Sequence, residues 1–362
     1  MATILVYSTI AITSDEQARA WFDRVVAHAR SGLDSLELKI TYRVESLEPL
    51  DTTQIPALRA RVKDFPEHPD RILLDRLERF ERFGPEIRTQ TVWVRHGQLR
   101  ISREPTLDPG SFYYDLIDFG DSGWSLTPTQ LSLVGTRDSR PRGQSFASPI
   151  SASALEVHDF IAPGAATLAR ADVQRFILDP TGRWSAESVL ATPAGPRAYV
   201  VRGRWDPSRG AGAFAGSQLH ESGLDSKVIS TLEASDHRPT AGMLSDPASV
   251  LMYASQASPP RRATLVALAA LDPAEFKAVT ARPTLNGSDP IRGPVTFTQI
   301  NDYTGRDAEY RVADEKREFQ TVAVEETPEG RQRAWLRRAG WALAAGILVT
   351  IVLLRVKQAR SA

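Results

Sequence analysis

The chain predicts a mainly β protein with helices, an α+β fold. An antiparallel sheet packs on an N-terminal amphipathic helix, and a C-terminal helix enters a membrane. Three observations carry this expectation. Residues 36–44, LELKITYRV, alternate apolar and polar without error. Residues 14–32 repeat their apolar positions at helical spacing. The stretch WALAAGILVTIVLLRVKQ, beginning at Trp341, is an oily run bracketed by arginines.

The first thirteen residues, MATILVYSTIAIT, are apolar from Ala2 to Ile12, but no Lys or Arg precedes them and no A-x-A site follows. They suit a degenerate export signal or a first strand. Ser14 and Gln17 then form an S-x-x-Q capping box, with Asp15 and Glu16 at the positive end of the dipole. Ala18, Trp21, Phe22, Val25, Val26 and Ala29 fall on one face, and Gly32 ends the helix. In the strand that follows, Leu36, Leu38, Ile40, Tyr42 and Val44 share a face opposite Glu37, Lys39, Thr41 and Arg43. After a less regular stretch, TVWVRHGQLRIS predicts a hairpin turning at His96–Gly97. FYYDLIDFGDSGWSLTPTQLSLV predicts two or three more strands, broken at 120–123 and near Pro128.

Residues 136–165 are rich in Ser, Pro and Arg and predict an exposed connection between a first part, 14–135, and a second β-rich part, 166–330. ATLARADVQRFIL predicts a short helix, and RAYVVRGRW, PVTFTQIND and EFQTVAVEE predict strands. In LDPAEFKAV, Asp272, Pro273 and Glu275 suit a cap, a first-turn proline and a capping-box acid. ATLVALAAL is too short to span a bilayer and predicts core.

Residues 339–354 carry no charge, and as a helix they reach roughly 24 Å. Trp335 and Leu336 lengthen the apolar part, and Arg337, Arg338 and Arg355 can snorkel. We therefore expect a single-pass helix at 339–356 whose lipid-facing side chains include Trp341, Ile347, Leu348, Ile351, Leu353 and Leu354, with a short tail at 357–362. Four basic residues precede it (Arg331, Arg333, Arg337, Arg338) and three follow (Arg355, Lys357, Arg360), too small a difference to orient it. Export through the first residues would put the body outside the cytoplasm. Otherwise the body is cytoplasmic and tail-anchored.

Composition narrows function mainly by exclusion. Lys plus Arg equals Asp plus Glu at 44 each, so no net field draws nucleic acid. Zero cysteine removes disulfides, thiolate catalysis and cysteine-ligated metals. Six scattered histidines form no H-x-x-x-H pair, so no metal is expected, and His28 suits a cationic helix end. Asp115, Asp118 and Asp121 miss calcium-loop spacing and predict solvated positions. RGAGAFAGSQ lacks the G-K-[ST] of a phosphate loop and predicts a flexible loop. LHESGLDSK gathers His220 and Ser226, yet the chain holds no G-x-S-x-G or S-x-x-K, so a hydrolase using residues 206–227 stays an alternative only. No cofactor is expected. Trp21, Phe22, Tyr42, Trp93, Phe112 and Trp124 suit either a cavity between helix and sheet or a solid core.

The order of helix, LELKITYRV strand, TVWVRHGQLRIS hairpin and DLIDFGDSGWSLTPTQLSLV segment resembles the outer-membrane lipoprotein carrier and sensor family over residues 14–135. The resemblance implies a half-barrel, a curved antiparallel sheet closed by helices around an apolar cavity. Here Trp21, Phe22, Leu38, Ile40, Tyr42, Val92 and Val94 would line that groove. It implies a non-catalytic protein that binds an acyl chain or lipopeptide, or senses the state of the envelope, with a lipid or lipoprotein as partner. This chain is longer than the family and ends in the oily helix, so a fixed rather than shuttling relative is expected. A pure protein-interaction scaffold is the third expectation, its partner protein unspecified.

Overall fold

The computed structural model describes residues 14–326, apart from 49, 64–68, 86, 106–112, 121, 136–146, 284–287, 296, 305–306 and 314–317. The first thirteen residues, the helix at 339–356 with its six lipid-facing residues, the tail, Phe112 and Asp121 lie outside the described residues. Among the described residues no helix is long and apolar enough to cross a membrane. The chain forms two compact units, one from Met1–Tyr113 with Pro149–Ala278, the other from Tyr114–Ser148 with Val279–Ala362. Both are discontinuous, so their boundaries cut across the sequence-based division at 135 and 165.

In the first unit, α1 (Ser14–Arg30) buries Ala18, Trp21, Phe22, Val25, Val26 and Ala29, the stripe its periodicity predicts. Strand β1 (Glu37–Ser46) buries Leu38, Ile40, Tyr42 and Val44. The irregular stretch after it holds two helices, α2 (Ile55–Val62) and α3 (Asp70–Phe83). They close a small core of Leu50, Ile55, Leu58, Val62, Leu74 and Leu77. Strands β2 (Ile87–Arg95) and β3 (Gln98–Pro105) form the expected hairpin. His96 (φ 47°) and Gly97 (φ 76°) are both left-handed, which matches a two-residue turn whose twist suits the strands.

The chain then passes into the second unit, and the first resumes at α4 (Ala147–Ile161) and α5 (Ala165–Leu168). This corrects the exposed connection expected at 136–165 over 147–165, residues 136–146 lying outside the described residues. Val157 and Phe160 of α4 are wholly buried, and the Ser-, Pro- and Arg-rich residues before it had masked an apolar face. It also shortens the helix expected in ATLARADVQRFIL to its first four residues, because the rest is strand β7 (Asp172–Leu178).

An antiparallel meander follows through β8 (Arg183–Thr192), β9 (Gly195–Asp206), β10 (Ala211–His220), β11 (Val228–Ser235), β12 (Val250–Ser255) and β13 (Arg261–Ala270). Strand β13 then pairs with β1, giving the order β3-β2-β1-β13-β12-β11-β10-β9-β8-β7. ATLVALAAL is thus strand β13 rather than core, and Val266 is 56% exposed. A uniform run of small apolar residues conceals which side faces water. Helix α6 (Pro273–Val279) is capped by Asp272, whose Oδ1 accepts the Ala274 N–H at 3.0 Å. Glu275 closes no capping box. Its carboxylate accepts from Lys39 Nζ at 2.8 Å and Trp93 Nε1 at 3.1 Å.

The glycine-rich RGAGAFAGSQ is mostly strand β10, not a flexible loop. Gly212 lets the α1 side chains lie directly on the strand, since a Cβ there would stand 2.9 Å from the Trp21 ring. Gly216 (φ 145°) sits at a β-bulge, where a Cβ would come within 2.2 Å of the Leu232 carbonyl oxygen. Over this strand Trp21 and Phe22 build a solid aromatic core with Phe176, Trp184, Trp205 and Phe214, with centroids 4.7 to 6.0 Å apart. Helix α4 packs Phe160 on Tyr42 at 5.0 Å.

In the second unit β4 (Tyr114–Asp118), β5 (Gly123–Leu126) and β6 (Gln130–Val134) form the expected meander. A small hairpin, β14 (Ser288–Asp289) with β15 (Gly293–Pro294), precedes β16 (Gln299–Tyr303), which runs parallel to β6. Strands β17 (Asp307–Ala313) and β18 (Phe319–Glu326) complete it. Asp115 and Asp118 are not solvated as expected. Asp115 is wholly buried and takes Arg292 through two bonds, Nη2 at 2.8 Å and Nε at 3.0 Å. Asp118 accepts the Gly120 N–H at 2.7 Å.

Candidate functional site

Pairing register builds the site. Ser46 lies opposite Arg261, Arg261 opposite Tyr253, Tyr253 opposite Leu232 and Leu232 opposite Ser217. These residues form one row across five strands on the face that α4 and α5 cover. On the other side of β1, Val44 lies opposite Arg88. A cleft of about 680 Å³ opens over this row, within the size range of small-ligand pockets. Its lining runs from Arg88 on β2 to Leu190 on β8, with six strands between them in the sheet order. A flat sheet at about 4.8 Å per strand would hold those two some 34 Å apart. One cleft can touch both only because the sheet curves, so the mainly β, curved-sheet expectation stands.

One end of the cleft is polar and heavily bonded. Glu156 of α4 is nearly fully buried and accepts from Tyr42 Oη at 2.7 Å and from Arg261 Nη1 at 2.7 Å. Behind it Gln90 donates to Tyr42 Oη and, at 2.9 Å, to Ser153 Oγ. Arg103 donates to Gln90 Oε1 at 2.8 Å and Ser153 Oγ at 2.9 Å. Asp159, one helical turn on, accepts the Gly164 N–H at 3.0 Å and Tyr253 Oη at 3.2 Å. Burial pushes its carboxyl up to about 7 against those two bonds. Burial, and the neighbouring Glu156 carboxylate, push the Tyr42 phenol up as well. The Arg261 guanidinium lies 4.4 Å over the Tyr253 ring. The lining on β8, β10 and β11 carries Leu190, Leu219 and Leu232 beside Ser217, Ser230 and Thr231.

The groove expected from sequence was Trp21, Phe22, Leu38, Ile40, Tyr42, Val92 and Val94. All seven are at most 2% exposed and pack as core, and the cleft lies beyond them on the same face. Tyr42 alone reaches its lining, through Glu156. Trp93 is on the other face, paired with Lys39 and bonded to Glu275. Sequence reading missed Glu156, Asp159 and Arg261. The first two lie in the supposed connection, and Arg261 precedes a run taken for core. A buried acid every helical turn on an apolar α4 face is the signal that could have found them.

The hydrolase arrangement does not form. His220 Nδ1 stands 3.2 Å from the Ser226 carbonyl oxygen, while the Ser226 hydroxyl donates to the Gly223 carbonyl oxygen at 2.6 Å and caps the Ser222 N–H. These are the bonds of a β-turn. Burial lowers the His28 pKa, so the cationic helix end expected there is disfavoured. Among the described residues no group of three metal-ligating side chains converges.

No family model matches the chain, and no curated protein does. Solved structures resemble it. One is a LolA superfamily protein from Nitrosomonas europaea, 8% identical, with a TM-score of 0.37, the match covering 72% of this chain and 97% of that one. Another is an outer membrane lipoprotein-sorting protein domain from Vibrio parahaemolyticus, 9% identical, with a TM-score of 0.34 and the same two coverages. This likeness gives no residue of this chain a role.

Proposed function

We propose that this protein is a non-catalytic binder of an acyl chain or lipopeptide, held at a membrane by residues 339–356 with its body on the extracytoplasmic side. The observation that carries the ligand half is the cleft. It is large enough for a small amphiphile, walled by leucines on one side and closed by a hydrogen-bonded polar end on the other. Its two buried carboxylates are spent on Tyr42, Arg261, Tyr253 and the Gly164 N–H rather than aimed at a scissile bond, which suits holding over chemistry. The anchor rests on the uncharged run at 339–354 and its arginine flanks.

Photo-crosslinking tests the ligand half. The full-length chain in phosphatidylcholine nanodiscs is irradiated with a diazirine-bearing acyl probe, and the adducts are mapped by mass spectrometry. Adducts on β8, β10 and β11 are expected, and Leu232→Arg removes them. Adducts restricted to 339–356, as bulk lipid would give, refute it.

A further inference from the structure

We infer that the cleft takes a single-chain amphiphile with an oxyanion head, the head held between Arg88 and Arg261 and the alkyl chain lying over Leu190, Leu219 and Leu232. This deepens the acyl-binding reading and rests on it.

Two arginines flank β1 on its cleft face. Arg88 lies opposite Val44 on one side, and Arg261 lies opposite Ser46 on the other. Two strand spacings and two residues of rise put their Cα atoms about 12 Å apart, within convergent reach of two long side chains. Arg88 Nε is buried without a hydrogen-bond partner, and its guanidinium makes no ion pair with any described residue. Arg261 gives Nη1 to Glu156 and lays its plane on Tyr253, leaving its other N–H groups unbonded among the described residues. Against these two cations stand the Glu156 carboxylate and Asp159, which burial keeps largely protonated up to about pH 7.

The end of the cleft therefore carries a positive excess with donors to spare. A buried guanidinium N–H without an acceptor, as at Arg88 Nε, is costly, and a carboxylate or phosphate oxygen supplies one with a charge-assisted bond. The rest of the cleft argues for a chain on that head. The leucines sit on β8, β10 and β11, two or more strands further along the sheet than Arg261. A bare inorganic anion would fill one end and leave them facing water.

The test compares heads at constant chain length. Full-length protein in phosphatidylcholine nanodiscs is photolabelled with diazirine analogues of palmitate, hexadecyl phosphate and hexadecanol. At least one anionic probe is expected to label peptides containing Leu190, Leu219 or Leu232 about tenfold more than the alcohol. Arg88→Gln should bring the anionic probe down to the alcohol's level, and Arg88→Lys should keep part of the difference. Arg88 bonds no described residue, so the variant should keep its near-ultraviolet circular dichroism. If it does not, Arg261→Lys is measured the same way. Equal labelling by all three heads, or labelling indifferent to both arginine variants, overturns the head assignment and leaves the acyl reading standing. No labelling of these peptides by any probe overturns the acyl reading itself. Displacement of the anionic probe by equimolar inorganic phosphate would make the ligand a soluble anion and overturn the amphiphile.

Discussion

His158 and Asp159, consecutive on α4, are driven to opposite protonation behaviour by their burial. His158 enters a cavity of about 70 Å³ among Val25, Leu36 and Leu244. Burial, then the nearby His28, lowers its pKa to about 4 despite a hydrogen bond to the Gly32 backbone. Asp159 faces the cleft, where burial raises it to about 7.

The signs of the two linkages therefore oppose. Below pH 6.5 an unfolded His158 binds a proton that the folded one refuses until about pH 4, so acidification through that window costs stability. Between about pH 4 and 7 the folded Asp159 keeps a proton that the unfolded one has lost, so raising the pH through that window costs stability. Each slope is at most about 1.4 kcal/mol per pH unit, and in the wild type they offset each other. His158→Phe should leave a protein whose stability falls from pH 4.5 to 6.5, and Asp159→Asn one whose stability rises. Thermal melts of the full chain in detergent at three pH values decide it, and slopes of the same sign would contradict the pairing.

Gly216→Ala should destabilise the first unit by more than about 2 kcal/mol. The residue holds φ 145° and its new Cβ would meet the Leu232 carbonyl oxygen, so strain and clash add. Gly210→Ala, left-handed too but with nothing within 4 Å, should cost only about 1 kcal/mol. Chemical denaturation of both variants measures the gap. Equal costs would mean that the bulge relaxes.

Asp115→Ala should cost the second unit about 3–5 kcal/mol, because it removes the buried carboxylate that takes two bonds from Arg292, itself 7% exposed. Asp302→Ala removes the acceptor of Arg311 in a more exposed pair and should cost about 1 kcal/mol or less. The same denaturation series ranks them. A larger loss at Asp302 would show that exposure does not govern these pairs.

Deleting residues 339–356 should move the protein from the carbonate-resistant membrane fraction to the soluble one. A chain that stays with the membrane after the deletion is held there by another segment. Ile347 and Ile351 are the positions for a gentler version, since an aspartate near the centre of a lipid-embedded helix costs about 3 kcal/mol.

Local periodicity made the frame of this fold legible. The six buried residues of α1, the alternating face of β1 and the His96–Gly97 turn follow from spacing and turn chemistry alone. What stayed hidden depends on partners distant in the chain. Gly212 and Gly216 look like a loop until Trp21 and Leu232 are placed against them. Glu156 and Asp159 look like surface acids in a polar stretch until Arg261 and Tyr253 arrive from β13 and β12. The seven residues of the expected groove are buried, but a core and a cavity draw on the same residue types. Only the register shows where packing stops and the cleft begins.

Strand β1 waits on one side for β13, with Leu38 meeting Ala270 and Ser46 meeting Arg261. Most of the described chain, including the first of the second unit's two segments, is made between those two strands. During synthesis α1 and β1 must therefore idle with a bare apolar stripe until the last strands emerge, a long-range closure that slows folding and invites chaperones.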